Sequence, residues 1–433
     1  MEEQVKKARL RFNRFLRIMG PGLITGAADD DPSGIATYSQ TGAQFGYGQL
    51  WTAIFMLPFM TAVQEACARI GAVTGKGIVA VVKENYNKKI VYSVVCLVLI
   101  ANTINIGADI GAMAGAAKLL VPVPFVFLTL LFTIVILTLE IFTSYKVYAR
   151  ILKWLALALL SYPITVFIIH EPWPLLLKAT FVPHIEFSFA FLFIITGVLG
   201  TTISPYMFFW EASEEVEEEK ENRMRKIDGR PKMSWKYIKG MRLDNAVGMV
   251  ASEVTTWCII VVSATVLHAH GVTNINTSAD AAKALEPLVQ SFPNAGYLSK
   301  VIFSIGIIGL GLLAVPVLSG SASYAVSEAL SWRAGLNYKL KRAHGFYGVI
   351  TIATLIGLSI NFIGIDPVKA LVFSAVFNGV AAVPLLFLIA NIARNEKIMG
   401  EFKSKALSNI LLWITFAAMA AAAIAMLLTI GKQ

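Results

Sequence analysis

Charged side chains are scarce in this chain of 433 residues. Asp, Glu, Lys and Arg make up 15% of it, whereas soluble domains contain roughly 25%. Hydrophobic residues reach 56%, and the mean hydropathy is +0.67. This composition excludes a soluble enzyme and predicts an all-α protein that crosses a membrane several times. The apolar runs do not alternate with polar residues, so a membrane β-barrel is excluded as well.

Several chemical motifs are also missing. The three cysteines, Cys67, Cys96 and Cys258, lie inside apolar segments without a CxxC spacing, which excludes a disulfide framework, a zinc ribbon and an iron–sulfur site. No GxxxxGK[ST] motif is present, so the chain carries no ATP-driven motor. No nucleophile–base pair is evident, and we expect neither an enzyme nor a cofactor. The stretch from Met1 to Met19 is basic and lacks the apolar core of a cleaved signal peptide.

Long apolar segments dominate what is present. A spanning helix needs roughly 20 apolar residues. By this measure the sequence predicts eleven transmembrane helices, at about 21–43, 49–68, 91–117, 125–141, 151–169, 187–209, 243–267, 298–327, 345–363, 370–391 and 406–430.

The basic residues alternate between the two sides of the membrane. Most of the 37 Lys and Arg residues lie in six segments on one side: 1–20, 69–89, 146–153, 220–242, 333–342 and 394–405. The positive-inside rule places these segments in the cytoplasm. We therefore predict a multi-pass protein of the cell membrane, the inner membrane in bacteria, with a cytoplasmic N-terminus and an extracytoplasmic C-terminus. The formal net charge of +10 is then explained by anionic lipid headgroups, without nucleic acid.

Two of the predicted helices contain unusual interruptions. Asp29-Asp30-Asp31-Pro32-Ser33-Gly34 interrupts the first segment, and Thr201-Thr202-Ile203-Ser204-Pro205-Tyr206 interrupts the sixth. Eleven segments divide into two halves of five and one extra helix, and an odd-numbered half places the halves in opposite orientations. Broken helices at matching positions of inverted halves indicate the central site of a transporter. We expect a basic N-terminus (1–20) and one transmembrane domain (21–433), with repeats at about 21–169 and 187–391. An ordinary proline kink is the alternative.

Acidic residues inside the membrane are candidate site residues, because each costs roughly 2.5–3.5 kcal/mol on insertion. Asp31, at the first break, is our first choice for an ion ligand. Asp29 and Asp30 line the vestibule or act as ligands too. Three neighbouring carboxylates cannot all stay charged without a cation or bulk water.

Other polar residues allow more than one interpretation. Asn102, Asn105 and Asp109 share one helix face, which fits either a water-lined pathway or an interhelical hydrogen-bond cluster. Glu65, Asp244 and Glu253 fit gating ion pairs, although structural partners for buried Arg or backbone groups are favoured. The acidic run Glu214–Glu221 either collects cations or extends a helix into solvent.

The first two segments resemble a known family of transporters. Gly20-Pro21-Gly22, Asp31-Pro32-Ser33-Gly34 and Thr41-Gly42-Ala43-Gln44-Phe45-Gly46-Tyr47 are similar to the first segment of NRAMP divalent-metal transporters. Val63 to Gly71 and Thr74-Gly75-Lys76 are similar to the second segment and the loop after it. Gly200 to Glu211 and Leu318 to Ala322 match more loosely. The resemblance implies the LeuT-type fold of 5+5 inverted repeats plus one helix, helices 1 and 6 broken, and alternating access.

Four positions depart from the family pattern. Gly34 stands where the family has a metal-binding Asn, and Ser204 stands where it has a metal-binding Met. Tyr206 and Ala112 stand where it has His and Glu, the latter three residues after Asp109. The pattern resembles the NRAMP-related magnesium transporter branch. Loss of the thioether removes the preference for soft metals, and loss of two bulky ligands leaves room for the waters that Mg²⁺ retains.

The resemblance implies a metal set of Asp31, the backbone carbonyls of Ala28 and Thr201, the Ser204 hydroxyl and the position of Gly34. We expect Mg²⁺ uptake, with Mn²⁺ also accepted, and no coupled proton. A divalent cation gains about 4.6 kcal/mol from 100 mV. The alternatives are a classical proton-coupled Mn²⁺/Fe²⁺ carrier, a sodium-coupled organic solute carrier on the same fold, and a non-transporting sensor. The expected partners are the metal ion and the lipid bilayer, without nucleic acid or a protein partner.

Overall fold

The protein is almost entirely helical where its structure is described. The computed structural model describes Gly26 and residues 28–143, 159–169, 172–221, 226–227 and 230–430. The helices are α1 (Pro32–Phe45), α2 (Trp51–Thr74), α3 (Ile78–Asn85), α4 (Lys88–Lys118), α5 (Phe125–Phe142), α6 (Ser161–Ile168), α7 (Trp173–Phe181), α8 (Phe189–Thr202), α9 (Pro205–Glu221), α10 (Trp235–Val266), α11 (Ser278–Lys283), α12 (Ala295–Leu330), α13 (His344–Ile360), α14 (Pro367–Arg394), α15 (Glu396–Met399) and α16 (Ala406–Thr429). One antiparallel hairpin pairs β1 (Lys226–Ile227) with β2 (Arg230–Pro231).

Eight helical segments of the described ranges are long and apolar enough to cross a membrane. They are Trp51–Thr74, Lys88–Lys118, Phe125–Phe142, Phe189–Lys220, Trp235–His270, Ala295–Leu330, Pro367–Arg394 and Ala406–Thr429, and His344–Ile360 is a shorter apolar helix. These segments confirm the all-α polytopic class. The first and fifth predicted helices lie partly outside the described residues, at 21–25, 27 and 151–158, so the total of eleven stays a prediction. The basic segment 1–20 also lies outside them.

The first predicted helix break is confirmed. Ala28 and Asp29 are helical, the helix is interrupted at Asp30 and Asp31, and α1 begins at Pro32. Proline suits a first helical position because its missing N–H leaves no bond unmade there. Asp31 caps α1, since its carboxylate accepts a hydrogen bond from the Gly34 N–H at 2.7 Å. The local sequence therefore both stops one helix and starts the next.

The second break is confirmed in the same way. Helix α8 ends at Thr202, and α9 begins at Pro205. The Ser204 hydroxyl lies 2.7 Å from the Gly200 carbonyl oxygen and donates back to the end of α8. This bond satisfies a carbonyl that the broken helix would otherwise leave without a partner at membrane depth.

Close helix packing fixes the positions of both breaks. Helix α4 packs against α12, α13 and α14, α1 packs against α10, and α8 packs against α14. At the α8–α14 contact, a Cβ atom on Gly200 would lie 2.1 Å from the Ala375 carbonyl oxygen. Small residues let membrane helices approach this closely, so Gly200 anchors the helix that ends at the second break.

Two helices lie at the periphery. Helices α5 and α16 expose large apolar side chains such as Phe127, Ile134 and Leu428. Outward-facing apolar surface of this kind suits lipid contact, whereas the buried faces of the other helices enclose the polar residues.

Candidate metal site

Asp31 lies fully buried between the two helix breaks. Its Oδ1 accepts hydrogen bonds from the Ser33 hydroxyl at 2.6 Å and the Gly34 N–H at 2.7 Å. Its Oδ2 accepts one from the Asn105 side-chain amide at 2.9 Å. No Lys, Arg or His of the described residues forms an ion pair with it. A buried carboxylate held only by neutral donors is a favourable anchor for a cation.

Tyr206 joins the two breaks directly. Its hydroxyl donates to the Ala28 carbonyl oxygen at 3.0 Å and lies 3.5 Å from Asp31 Oδ2. The side chain is completely buried. The structure places Tyr206 as a buried contact between a candidate carbonyl ligand and the candidate carboxylate ligand, and its role as a vestibule or pathway residue stays a prediction.

Ser204 and Thr201 supply further oxygens on the α8 side. The Ser204 hydroxyl lies 2.7 Å from both the Gly200 and the Thr201 carbonyl oxygens. The Thr201 hydroxyl is buried and bonds to no described residue. Two of the expected ligands, Ser204 and the Thr201 carbonyl, are therefore bonded to each other in this arrangement.

The expected extra space beside Gly34 is not present. A Cβ atom there would lie 3.2 Å from the Thr201 hydroxyl oxygen, 3.2 Å from Tyr38 Cε2 and 3.3 Å from the Asp29 carbonyl oxygen. The neighbouring side chains thus fill the volume that we assigned to coordinated waters. The expectation of water-sized room at this position is wrong for this arrangement of the helices.

Asp29 and Asp30 face a different helix from Asp31. The Ser252 hydroxyl on α10 lies 2.6 Å from Asp29 Oδ2 and 3.3 Å from Asp30 Oδ1. Both carboxyl groups are buried. The three consecutive aspartates therefore have different surroundings. Asp29 and Asp30 contact α10, whereas Asp31 contacts Asn105 of α4 and Tyr206 of α9.

The polar face of α4 makes contacts between helices. The Asn105 side-chain amide donates a hydrogen bond to Asp31 Oδ2, and the Asn102 amide donates one to the Leu318 carbonyl oxygen of α12 at 2.9 Å. Asp109 is buried, and neither of its carboxylate oxygens bonds to a described residue. Of the two interpretations left open by the sequence, the interhelical cluster describes the contacts of both asparagines, and the water-lined pathway stays a prediction.

Glu65 forms ion pairs with two arginines and so has a structural role. The buried Arg69 contacts Glu65 at 2.8 Å, and Arg242 reaches the same carboxylate at 2.8 Å. Arg69 also donates to the Phe402 carbonyl oxygen and the Ser404 hydroxyl. The favoured interpretation of Glu65, a partner for a buried Arg, is confirmed.

The acidic run after the second break differs from the expectation. Residues up to Glu221 continue α9, as a helix extension requires, but Glu215, Glu217 and Glu219 are buried rather than solvated. The Tyr237 hydroxyl donates to Glu215 and the Asn337 amide to Glu217. Residues from distant parts of the chain therefore bury these glutamates. The local sequence of the acidic run does not predict those contacts.

Sequence reasoning missed Glu140. This buried side chain on α5 accepts a hydrogen bond from the Ser319 hydroxyl of α12. A single Glu in an apolar helix was the available signal, because intramembrane ionisable residues are rare.

The candidate metal ligands at this site, namely the Asp31 carboxylate, the Ala28 and Thr201 carbonyls and the Ser204 hydroxyl, are all oxygen atoms. Within the described ranges, no three His, Cys, Asp or Glu side chains come close enough to hold one metal ion. An ion here would contact one carboxylate, backbone carbonyls and hydroxyls. Oxygen donors of this kind suit hard cations such as Mg²⁺, Ca²⁺ and Mn²⁺.

Comparison with known proteins identifies the family. The family model described as natural resistance-associated macrophage protein-like matches residues 22–429. The chain belongs to the Nramp family. A curated relative, the divalent metal cation transporter MntH of Caldanaerobacter subterraneus subsp. tengcongensis, is 26% identical over 410 residues, which cover 93% of this chain and 90% of the relative. The predicted resemblance to this family is confirmed.

Solved structures show the same fold. The Eremococcus coleocola manganese transporter in complex with an aromatic bis-isothiourea compound superposes with a TM-score of 0.73 at 15% identity, covering 97% of this chain and 87% of that one. Mhp1, a nucleobase-cation-symport-1 family transporter, superposes with a TM-score of 0.59 at 12% identity, covering 95% and 90%. The LeuT-type fold of this Nramp protein is thereby confirmed. The predicted magnesium branch finds no support in the MntH relative, which is named for divalent metal cations, or in the Eremococcus coleocola transporter, which is named for manganese.

Proposed function

We propose that this Nramp protein carries a divalent metal cation across the cell membrane by alternating access. The main support is the environment of Asp31. Its carboxylate is buried where the two broken helices meet and accepts hydrogen bonds only from neutral groups. The names of the relatives support the same class of substrate.

Manganese is the substrate that the comparisons favour. The relatives are named as divalent metal or manganese transporters, and Mn²⁺ accepts the carboxylate and carbonyl oxygens that surround Asp31. This replaces magnesium, our expectation from the sequence, as the first candidate.

Magnesium remains the second candidate because of one observation. The side chains within reach of Asp31 offer oxygen and amide groups but no sulfur, since Ser204 stands at the second break. Such a set gives Mn²⁺ little advantage over Mg²⁺. A carrier without strong preference between the two ions would fit this chemistry.

The carboxylate charge explains how the site would attract its substrate. Transfer of a dication out of water costs far more than any single neutral hydrogen bond returns. Asp31 offers the full negative charge that offsets part of this cost, while the Ala28 and Thr201 carbonyls and the Ser204 hydroxyl replace lost water oxygens.

Uptake into liposomes tests the proposal. We expect purified protein to admit Mn²⁺ and Mg²⁺ down an inside-negative potential, with Asp31→Asn as the inactive control. A pH dye inside the same vesicles reports coupled protons: acidification that follows Mn²⁺ entry identifies the classical coupled carrier, and constant pH identifies the uncoupled mechanism. Absence of metal uptake together with uptake of radiolabelled amino acids would replace the proposal with the organic solute carrier.

A further inference from the structure

A second acidic pocket lies beside the candidate metal site. Asp29 and Asp30 face α10, where Ser252, Glu253 and Thr256 approach them. Asp31 faces α4 and α9 instead, through Asn105 and Tyr206. The two groups of carboxyls are thus neighbours along the chain but lie against different helices.

Hydrogen-bond donors in this pocket are too few for its acceptors. The Ser252 hydroxyl carries one hydrogen, yet it is the near neighbour of both Asp29, at 2.6 Å, and Asp30, at 3.3 Å. The Thr256 hydroxyl is 3.5 Å from Asp30. These two hydroxyls supply two hydrogens for four carboxylate oxygens, so part of the hydrogen-bonding capacity of Asp29 and Asp30 is left unmet.

Glu253, the residue after Ser252 on α10, adds a third buried carboxyl to this pocket. Its side chain is 4% exposed, both its carboxylate oxygens lack a partner among the described residues, and its charge acts on Asp29 and Asp30. Asp29 Oδ1 also lacks a partner. No described Lys, Arg or His pairs with these three carboxyls. Burying them together without a positive charge is strongly unfavourable.

We infer that Asp29 and Asp30 form a second binding site for a divalent metal cation, with Ser252 beside them and Glu253 adding negative charge. The negative charge of three neighbouring carboxyls is balanced better by a divalent cation than by a monovalent one. Because no three described acidic side chains converge on one point, the ion would contact one or two carboxylates and keep several waters, as hydrated divalent ions do. The inference rests on the proposed binding of divalent metal by this chain.

Metal counting on the purified full-length protein tests this site. After dialysis against MnCl₂, elemental analysis should give about two manganese ions per wild-type chain, since each site takes one ion through one or two carboxylates. Glu253→Gln combined with Ser252→Ala should reduce this to about one, and Asp31→Asn should also leave about one. Thr255→Ala, one turn away on α10, and Glu186→Gln, in an exposed position, are the matched controls and should retain both ions.

Electron paramagnetic resonance gives a second readout. Because Asp30 and Asp31 are adjacent, two bound Mn²⁺ ions would lie on the order of 10 Å apart. Spin–spin broadening should appear in the wild type and disappear in both variants. Each variant must keep the wild-type elution volume in size-exclusion chromatography, which excludes misfolding as the cause.

Two outcomes would overturn the inference as stated, and a third would overturn the proposed function on which it rests. One ion in the wild type and none in Asp31→Asn would leave a single transport site and the proposed function intact. Two ions in the Ser252/Glu253 variant would remove these residues from the second site. No ion in the wild type would overturn the proposed function itself.

Discussion

The Tyr206 hydroxyl donates to the Ala28 carbonyl oxygen at 3.0 Å, which connects the second helix break to the helical residues that precede the first break. Both groups are buried. The candidate metal site is therefore held together by a neutral side chain from α9 as well as by Asp31.

Substitution of Asp31 by Asn should separate its charge from its structural role. Asn caps helices about as well as Asp, so α1 should still begin at Pro32 and the variant should fold. Loss of the carboxylate charge should lower Mn²⁺ uptake into liposomes at least roughly tenfold, because charged ligands bind cations far better than amides do. Asp366→Asn, which changes the cap of α14, is the control. Uptake equal to wild type in a folded Asp31→Asn protein would remove this residue from the site.

Substitution of Tyr206 by Phe should make the protein more dependent on metal. The Ala28 carbonyl loses its donor, which costs about 1–3 kcal/mol of stability when the group stays buried. An ion that binds this carbonyl restores a partner and stabilises the folded state. The thermal midpoint should therefore fall without metal and rise further than that of the wild type on addition of Mn²⁺. An equal rise in both proteins would exclude the Ala28 carbonyl as a ligand.

Substitution of Ser204 by Met should change selectivity. A thioether offers polarizable electrons that favour Cd²⁺ and Mn²⁺ over Mg²⁺, so Cd²⁺ should inhibit Mg²⁺ uptake at lower concentrations than in the wild type. Ser204→Ala is the control for loss of the hydroxyl alone. Combination with Gly34→Asn should strengthen the effect only if Tyr38 and Thr201 shift, because the space at Gly34 is already filled. Coincident inhibition curves would show that this position does not set selectivity.

Substitution of Glu65 by Gln should destabilise the protein without touching the metal site. Arg69 is fully buried and would lose its carboxylate partner, which typically costs about 3–5 kcal/mol. Arg242 is partly exposed and contacts the same carboxylate, so Arg242→Ala should cost only about 0–1 kcal/mol. Thermal unfolding in detergent compares the two variants. Equal midpoints would contradict the structural role given to the buried pair.

Substitution of Gly200 by Ala should disrupt the contact between α8 and α14. The added methyl would collide with the Ala375 carbonyl and with the Gly379 N–H, and overpacking of this kind costs roughly 1–3 kcal/mol or more. Gly240→Ala is the matched control, because nothing lies within 4 Å of its Cβ position and helical Ala is favoured over Gly by roughly 0.5–1 kcal/mol. The thermal midpoint should fall for the first and hold or rise for the second.

The features that could be predicted from the sequence are those with local causes. Pro32 and Pro205 interrupt helices through their own geometry, so both breaks were placed correctly. Ser252, the partner of Asp29, lies on α10, and Asn337, a partner of Glu217, lies in the turn region after α12. Both are far away in the sequence, and no local pattern reveals them as contacts. The filled space at Gly34 likewise depends on Thr201 and Tyr38. The absence of a side chain at Gly34 therefore does not leave an open space for water, because residues of neighbouring helices determine the free volume there.

The contacts of Asp31 Oδ2 also connect metal binding at the candidate site with the packing of α1 against α4 and α9. Oδ1 is committed to the first turn of α1, through Ser33 and Gly34, so Oδ2 is the oxygen that an arriving ion would engage. That same atom receives the Asn105 amide of α4 and lies near the Tyr206 hydroxyl of α9. An ion at Oδ2 would share this atom with the Asn105 amide and the Tyr206 hydroxyl, so loading would change how Asp31 contacts α4 and α9. The free energy of ion binding would then favour the arrangement of α1, α4 and α9 that gives the ion the stronger contacts.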